Sequence, residues 1–300
     1  MTDLLVTGAS GFIGSRVAQA LTERGYNVRA MTRRPEDYRG AGSPVAGDVQ
    51  DVQSLKRALV GARAAYYLVH SLERQDFEQR DAAAARNFAT AAADAGVERI
   101  VYLGGLGRED ETLSAHLRSR RQVEQLLGSA GVPVTVLRAA VVIGNGGISW
   151  EITRQLVAHL PIMLGPRWVN TRVQPIAVSD VVGYLLDVLE LPGGATRVFE
   201  IGGPDVLRYV DMLKVVARLQ NRRLLPVVTV PLLTPRLSSA WLALVTDVDL
   251  STARNLIDSM TNEVVVHDNT IRGLIAREPL RFEDAVRVAL LERAAAGAKS

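Results

Sequence analysis

Cysteine is absent from this 300-residue chain, and its absence removes several classes of chemistry at once. Disulfides, thiolate catalysis and cysteine-ligated metals are ruled out, and a reducing compartment is allowed. Lysine is scarce and occurs at Lys56, Lys214 and Lys299. We predict no metal site, and a mechanism that requires a lysine has few positions from which to draw one.

Long apolar runs and long charge runs are also missing. The most apolar later stretch, residues 226–245, is broken by Pro231, Pro235 and Arg236, so it falls short of the roughly 20 residues that cross a bilayer. We predict no transmembrane segment there, but a buried or membrane-touching one. The formal net charge of +3 is scattered along the chain, so no nucleic-acid partner is expected. No export signal precedes the first apolar strand, which predicts a cytoplasmic location.

Short aliphatic runs alternate with longer helical patterns as far as residue 140. This alternation is typical of parallel strands that are joined by crossover helices. The predicted strands are 4–7, 27–32, 44–46, 64–69, 100–103 and 134–137, and the predicted helices are 12–24, 51–60, 76–95 and 112–130. The fold class is therefore α/β, a doubly wound parallel sheet of the Rossmann type.

A glycine-rich loop, residues 7–14 with the sequence TGASGFIG, directly follows the first predicted strand. Its first glycine permits a tight turn, its second lets the backbone approach a pyrophosphate at a helix N-terminus, and its third lets helix and strand pack closely. Strand, loop, helix and second strand follow in the order of a dinucleotide-binding unit. We predict cofactor contacts from Gly8, Ser10, Gly11, Phe12, Ile13 and Gly14.

The end of the second predicted strand reads Met31-Thr32-Arg33-Arg34. NAD-preferring sites usually place an acidic residue there to hold the ribose hydroxyls. A guanidinium group suits a 2′-phosphate instead. We therefore predict NADP(H) as the cofactor, held through Arg33 or Arg34; the alternative is that these loop arginines are only solvated.

Four more candidate cofactor contacts lie at the ends of the third and fourth predicted strands: Asp48, Val49, Leu68 and His70. Ligands of open α/β sheets bind at this carboxyl edge. Asp48 is expected either to meet the adenine amino group or to cap the helix that begins near Asp51. His70 is expected either to line the cofactor ribose or to be a hydrogen-bonded histidine at a strand end.

Glycine and proline become more frequent after residue 140, and the regular alternation ends. We place an NADP-binding Rossmann domain at 1–147 and a smaller substrate region at 148–300. Within that region, strands at 173–178 and 197–201 with a helix between them predict that about 173–201 returns to the main sheet.

These blocks resemble the short-chain dehydrogenase/reductase superfamily, in its extended and atypical branch that includes NmrA-like proteins. The resemblance rests on the glycine loop, on Gly47-Asp48, and on the helix-then-strand block 87–102. It also rests on residues 175–181 (PIAVSDV) and 199–204 (FEIGGP), so that it spans nearly the whole chain.

The resemblance has one gap, because the superfamily's usual chemistry needs a tyrosine with a lysine four residues later. Here the corresponding helix offers His116 and Arg120, and no tyrosine has a lysine at that spacing. One hypothesis is an NADPH-dependent reductase of an apolar carbonyl or quinone-type substrate, in which His116 donates a proton and Arg120 supplies a fixed charge, or in which the acceptor needs little acid help. The alternative is a non-catalytic NADP(H)-binding sensor or accessory subunit, similar to NmrA-like proteins or to the Rossmann accessory subunit of respiratory complex I.

The substrate itself is not predicted by the sequence, and a protein partner stays possible. Trp150, Met163 and Trp168 lie in the region that covers the nicotinamide end in the family. Aromatic residues there would favour a flat or apolar small molecule, although buried packing explains them as readily.

Overall fold

The computed structural model describes residues 3–71, 74, 76–108, 111–159, 164–165, 167–222, 228–229 and 250–298. The sequence predictions for Met163 and for nearly all of the apolar stretch 226–245 therefore lie outside the described residues. Within the described ranges, no helix is both long and apolar enough to cross a membrane.

Thirteen strands occur in the described part of the chain, most of them short outside the main sheet. They are β1 (Asp3–Val6), β2 (Asn27–Thr32), β3 (Ser43–Ala46), β4 (Ala64–Tyr67), β5 (Arg99–Gly105), β6 (Val134–Ala139), β7 (Val142–Ile143), β8 (Leu164–Gly165), β9 (Arg172–Val173), β10 (Ile176–Ala177), β11 (Arg197–Ile201), β12 (Leu207–Arg208) and β13 (Val228–Thr229).

The helices follow the strands in the alternation that the sequence predicts. They are α1 (Phe12–Glu23), α2 (Val52–Leu59), α3 (Phe77–Asp94), α4 (Ala115–Leu127), α5 (Ile148–His159), α6 (Val178–Asp187), α7 (Tyr209–Leu219), α8 (Leu250–Met260), α9 (Thr270–Leu274) and α10 (Phe282–Gly297). Short 3₁₀ turns lie at Pro35–Asp37, Arg167–Asn170 and Val188–Glu190.

The main sheet has seven strands in the order β11-β6-β5-β4-β1-β2-β3, and every pairing in it is parallel. The chain builds outward from β1 to β3 and then returns to β4 on the other side of β1. The carboxyl ends of β1 and β4 therefore flank the switch point, where open α/β sheets bind their ligands. The predicted fold class, a doubly wound parallel sheet, is confirmed.

Helices cover both faces of this sheet. On one face, α1 and α6 bury Val17, Leu21 and Val181 against strand residues such as Val6. On the other face, α2, α3 and α4 enclose a second apolar core. Alanines on α3 let that helix lie close to the sheet, and Phe88 packs on the Tyr67 ring at 5.0 Å between ring centroids.

The segment predicted to return to the main sheet does so only in part. Arg197–Ile201 joins it as β11, beside β6. The strand predicted at 173–178 is wrong, because β9 and β10 pair with β12 and β7 in separate small sheets. Pro175 lies between them and has no N–H to give to a ladder. Helix α6 nevertheless packs on the main sheet, while the domain boundary at 147 stays a prediction.

A third core occupies the C-terminal region, where α5, α7, α8 and α10 meet. Trp150 is fully buried there, and Trp168 makes an edge contact with Tyr209, with ring centroids 5.9 Å apart. The two tryptophans are therefore packing residues rather than exposed surfaces for a flat substrate.

Candidate cofactor and active site

The glycine loop has the backbone geometry that its spacing predicts. Gly8 has a φ of +63°, in the left-handed region that favours glycine. A Cβ on Gly8 would lie 2.7 Å from the Leu68 carbonyl oxygen, and a Cβ on Gly14 would lie 2.1 Å from the Gly8 oxygen. The Gly11 amide donates to the same Gly8 oxygen at 2.8 Å. The loop is therefore folded too tightly to accept side chains at Gly8 or Gly14.

Gly11 differs, because the space beside it is nearly open. A Cβ there would meet only the Gly8 oxygen, at 3.1 Å. Gly11 is the N-cap of α1, and no side chain caps the helix and no acid lies in its first turn. Backbone amides at an uncapped N-terminus, with the positive end of the helix dipole, bind phosphate groups. The cradle fits the pyrophosphate of a dinucleotide.

The Thr7 side chain, which follows β1, joins the end of this strand to β4. The Thr7 hydroxyl donates to the Tyr66 carbonyl at 3.0 Å and accepts from the Leu68 amide at 3.0 Å. Thr7 is fully buried. Thr7 therefore holds the two strands together directly beneath the loop, which places Leu68 against Gly8.

The remaining loop residues point to different surroundings. Ser10 is exposed and lines a cavity beside β2, whereas Phe12 and Ile13 are half-buried. Phe12 points toward the turn after β7, where a Cβ on Gly147 would lie 2.8 Å from its ring. The Arg16 guanidinium covers the Phe12 ring at 4.7 Å from its centroid. Phe12 therefore links the cofactor loop to the C-terminal region.

A cavity of about 360 Å³ opens beyond the end of β2, on the side of the sheet where an adenosine would lie. Its lining consists of Ala9, Ser10, Ser15, Thr32, Arg34, Asp37, Tyr38, Arg39 and Gly40. Arg34 and Asp37 form an ion pair at 3.6 Å in which both side chains are largely exposed. Because the lining holds two arginines and one aspartate, its net charge is positive.

Only one residue of the predicted arginine pair lines this cavity. Arg34 lines the cavity, whereas Arg33 is exposed and is not part of its lining. Sequence reasoning missed Arg39, whose guanidinium is held by the carbonyls of Glu36 and Tyr38 at 2.7 and 3.0 Å. The 3₁₀ turn that starts at Pro35 brings Arg39 back beside Arg34, and Pro at the first position of a turn was the available signal.

Asp48 and Val49 lie at the end of β3 but outside this cavity. An Asp48 oxygen accepts the Gln50 amide at 2.9 Å, and Asp51, not Asp48, caps α2 by accepting from the Gln53 amide. The capping alternative for Asp48 is thus wrong, because the residue three positions later occupies the N-cap. Val49 is half-buried against the second core.

His70, His116 and Arg120 come together at the ends of β4 and β5, on the other side of the switch point. The stem of Arg120 lies beside Gly105, where a Cβ would be 3.7 Å from the arginine Cγ. The Arg120 Nε donates to the His116 Nε2 at 3.4 Å. Nearby protein atoms lower the pKa of both histidines, and the positive charge of Arg120 lowers each pKa further.

The chain matches known nucleotide-binding proteins over most of its length. Residues 8–160, more than half of the chain, match the family described as NAD(P)H-binding. The chain belongs to this family, in the atypical short-chain dehydrogenase/reductase superfamily. A (4-alkanoyl-5-oxo-2,5-dihydrofuran-3-yl)methyl phosphate reductase of Streptomyces griseus is 30% identical over 225 residues, which cover 74% of this chain and 75% of that protein.

Two further matches have lower sequence identity. The alpha subcomplex subunit 9 of the mitochondrial NADH dehydrogenase of Arabidopsis thaliana is 26% identical over 70% of this chain, and the match spans only 56% of that subunit. The NADPH-dependent quinone oxidoreductase of Escherichia coli, solved with NADPH, superposes with a TM-score of 0.77 at 20% identity and covers 95% of this chain and 98% of that one. The latter likeness shows the fold alone.

A hydrogen-bond network that reaches a distant part of the chain holds His116. Its Nε2 accepts from Arg120, so its Nδ1–H donates to the Ser259 hydroxyl at 3.1 Å. Ser259 in turn donates to the Asn255 carbonyl at 2.8 Å. This pattern assigns the tautomer and leaves neither ring nitrogen free for a substrate.

The charge state of His116 also works against a proton-donor role. Burial, followed by the charges of Arg120 and His70, holds the pKa of His116 well below its usual value. The imidazole is therefore neutral near pH 7, with no proton to give from Nε2. The predicted donor role of His116 is unfavourable on this geometry, and the catalytic role of Arg120 stays a prediction.

We call the region around His70, His116 and Arg120, beyond the carboxyl ends of β4 and β5, the cleft, because open α/β sheets bind their ligands in the crevice there. The His70 side chain is exposed, and nearby protein atoms, followed by the Arg120 charge, lower its pKa. Asp81 of α3 lies nearby, nearly buried; burial raises the pKa of its carboxyl, while hydrogen bonds from Ser71 and the Arg120 charge lower it.

Proposed function

We propose that the protein binds NADP(H) in preference to NAD(H). Arg34 and Arg39 carry this proposal, because both line the cavity at the end of β2, where a 2′-phosphate would lie. Each arginine presents a planar fork of donors that suits a phosphate. Asp37 is already in an ion pair with Arg34, which reduces its repulsion of an added phosphate.

Calorimetric titration of NADPH and NADH tests this preference. A charge-assisted contact of about 1.5–3 kcal/mol implies roughly a ten- to hundredfold tighter binding of NADPH. The double variant Arg34→Ala, Arg39→Ala should remove the preference while binding of NADH is kept. Arg33→Ala is the matched control and should behave as the wild type. Equal affinities of the wild type for both cofactors would refute the proposal.

We further propose that the protein is a reductase of a small apolar carbonyl or quinone-type substrate. The observation that carries this proposal is the half-buried Arg120 at the end of β5, on the nicotinamide side of the switch point. The Streptomyces relative is named as a reductase, and the E. coli protein with the same fold is named as a quinone oxidoreductase. The bound NADPH would supply a hydride there.

The chain's own residues would orient the cofactor and the substrate. Gly11 and the first turn of α1 bind the pyrophosphate, and Arg34 with Arg39 binds the adenosine phosphate. His70 lines the cleft as a neutral side chain, and Arg120 provides a fixed positive charge beside it. His116 acts as a positioning residue that holds the Arg120 guanidinium in place.

NADPH oxidation by purified protein, followed in the presence of quinones, enones, aldehydes and ketones, tests the reductase proposal. Turnover that requires the protein and saturates with an acceptor supports it. Tight NADPH binding with no oxidation by any acceptor would instead support the second candidate, a cofactor-binding sensor or accessory subunit. That candidate is favoured by the missing tyrosine and lysine and by the similarity to a subunit of NADH dehydrogenase. A cytoplasmic location and a possible protein partner stay predictions from the sequence.

A further inference from the structure

The proton donors of the cleft are poorly suited to reduce an isolated carbonyl. Among the described residues around Arg120, both histidines have lowered pKa values, and His116 uses both ring nitrogens in internal hydrogen bonds. Tyr67 and Tyr102 are fully buried, and burial raises the pKa of each phenol. The Asp81 carboxyl is buried, and burial raises its pKa, but the hydrogen bonds from Ser71 and the charge of Arg120 stabilise its charged form.

The cation of the same cleft, in contrast, is well suited to hold an anion. No carboxylate of the described residues lies within ion-pairing distance of the Arg120 guanidinium, whose Nε donates to the His116 ring. The Tyr102 hydroxyl donates to the Arg120 backbone carbonyl at 3.3 Å and leaves the guanidinium itself to other partners. Arg120 is half-buried, and a partly desolvated guanidinium interacts more strongly with an oxyanion than one in water does. Arginine cannot itself act as an acid or base near neutral pH.

We propose that Arg120 is an oxyanion-binding residue and that the substrates are conjugated carbonyls and quinones, in preference to isolated ketones and aldehydes. This inference rests on the proposed reductase function. When a hydride adds to the terminal carbon of a conjugated C=C–C=O unit, its electron pair forms the new C–H bond. The π electrons move onto oxygen and give an enolate, which Arg120 stabilises. The enolate later takes a proton from water, so no protein acid is needed at the moment of transfer.

Reduction of a quinone also needs one hydride and one proton. Addition of a hydride and its two electrons gives a hydroquinone monoanion, and one proton from water completes the reduction. An isolated ketone would give a far more basic alkoxide, which needs a proton during the transfer. A site with one fixed cation and no well-placed proton donor therefore favours acceptors whose reduced form is a stable anion.

A tether from the C-terminal region holds Arg120 in this position. Ser259 of α8 fixes His116, and Asn262 accepts the Ser114 amide and donates to the Thr112 carbonyl, both at 3.0 Å. His116 then accepts from Arg120. The guanidinium is thus fixed from the region that would cover a substrate, which makes its placement preorganised rather than induced.

Titration of 4-nitrophenol in the presence of saturating NADP⁺ tests the anion site without turnover. Bound nitrophenolate should be favoured over nitrophenol, so that the visible absorbance reports a pKa lowered by about 1–2 units relative to the free compound. Arg120→Gln should abolish this shift, and Arg120→Lys should keep part of it. Arg118→Gln is the matched control on α4, because Arg118 is exposed and paired with Glu78 at 3.6 Å.

Paired acceptors test the substrate class. The ratio of kcat/KM for 2-cyclohexen-1-one over cyclohexanone, and for 1,4-naphthoquinone over 1-decalone, should be at least about a hundredfold in the wild type, and it should fall by roughly ten- to a hundredfold in Arg120→Gln. NADPH affinity of that variant should stay within a few fold. Comparable turnover of the saturated ketones, or a ratio unchanged by Arg120→Gln, would overturn the proposal.

The two experiments separate the possible failures. Oxidation of NADPH by none of these acceptors would refute the proposed function, whereas an unshifted nitrophenol pKa would refute the anion-binding role of Arg120. A large loss of NADPH affinity in Arg120→Gln, with unchanged substrate ratios, would show that the guanidinium binds the cofactor instead.

Discussion

The same substitution at two glycines of one loop should have opposite consequences, because the two positions face different surroundings. Gly14→Val would place a Cβ 2.1 Å from the Gly8 oxygen and 2.7 Å from the Gly8 carbonyl carbon. Since both are backbone atoms, the strand and helix would have to separate, by roughly 1 Å, at a cost of about 1–3 kcal/mol or more. Gly11→Val meets one backbone oxygen at 3.1 Å, so a shift of a few tenths of an ångström suffices.

The effects of the two substitutions on NADPH affinity should have the opposite order. A side chain on Gly11 occupies the space in which the pyrophosphate would approach the amides of α1. Loss of one or two charge-assisted hydrogen bonds of about 1.5–3 kcal/mol each implies a loss of NADPH affinity between roughly tenfold and roughly ten-thousandfold. Thermal unfolding and NADPH titration should be measured on both variants. We expect Gly11→Val to unfold near the wild-type temperature without binding NADPH, and Gly14→Val to unfold several degrees lower. A Gly11→Val protein that binds NADPH at wild-type strength would refute the loop assignment.

Three further predictions concern stability. His116→Gln should make the free energy of unfolding less dependent on pH in acid. Because the pKa of His116 is lowered in the folded protein, its contribution to stability is complete above about pH 6.5 and is lost, by up to about 1.4 kcal/mol per pH unit, as the pH falls toward the folded-state pKa. Urea unfolding at several pH values measures this dependence. Thr7→Val should lower the free energy of unfolding by about 1–3 kcal/mol, because the half-buried Leu68 amide loses the acceptor that the buried Thr7 hydroxyl provides; urea unfolding at pH 7.5 checks this. Gly183→Ala should displace the Arg277 guanidinium, whose Cζ would lie 2.1 Å from the new Cβ, and lower the unfolding temperature by a few degrees.

Each of these results has a contrary outcome. An acid limb as steep in His116→Gln as in the wild type would show that other groups cause the acid sensitivity. Thr7→Val at full stability would mean that the Leu68 amide finds another acceptor. An unchanged unfolding temperature of Gly183→Ala would mean that Arg277 moves away without loss, despite its 2.6 Å ion pair with Asp187.

The main sheet and the glycine loop could be predicted from the sequence because their requirements are local. Strand, turn and helix succeed one another within a few residues, and only glycine satisfies the backbone positions at Gly8 and Gly14. The strand predicted at 173–178 failed because an alternating apolar pattern does not reveal which sheet a strand joins, and Pro175 divides it.

The cleft was less predictable because its contacts join distant parts of the chain. Ser259 and Asn262 meet the start of α4 from more than a hundred residues away, and no local pattern links them to His116. The sequence identified His116 as a titratable residue in the expected place. Its neutral state follows only from burial and from Arg120, which the fold supplies. Arg39 was missed for a similar reason, since a turn brings it back to Arg34.

The most direct test of the reductase proposal is transfer of deuterium from NADPH labelled at C4 of the nicotinamide. Each C4 epimer should be incubated separately with the protein and 1,4-naphthoquinone or 2-cyclohexen-1-one, and the fate of the label and the rate of NADPH oxidation should be measured. We predict that one epimer loses its deuterium and slows oxidation through a primary isotope effect, with the label retained in the saturated ketone formed from the enone. Tight binding of NADPH with the deuterium left on both epimers would contradict the proposal and identify the protein as a binder of the cofactor.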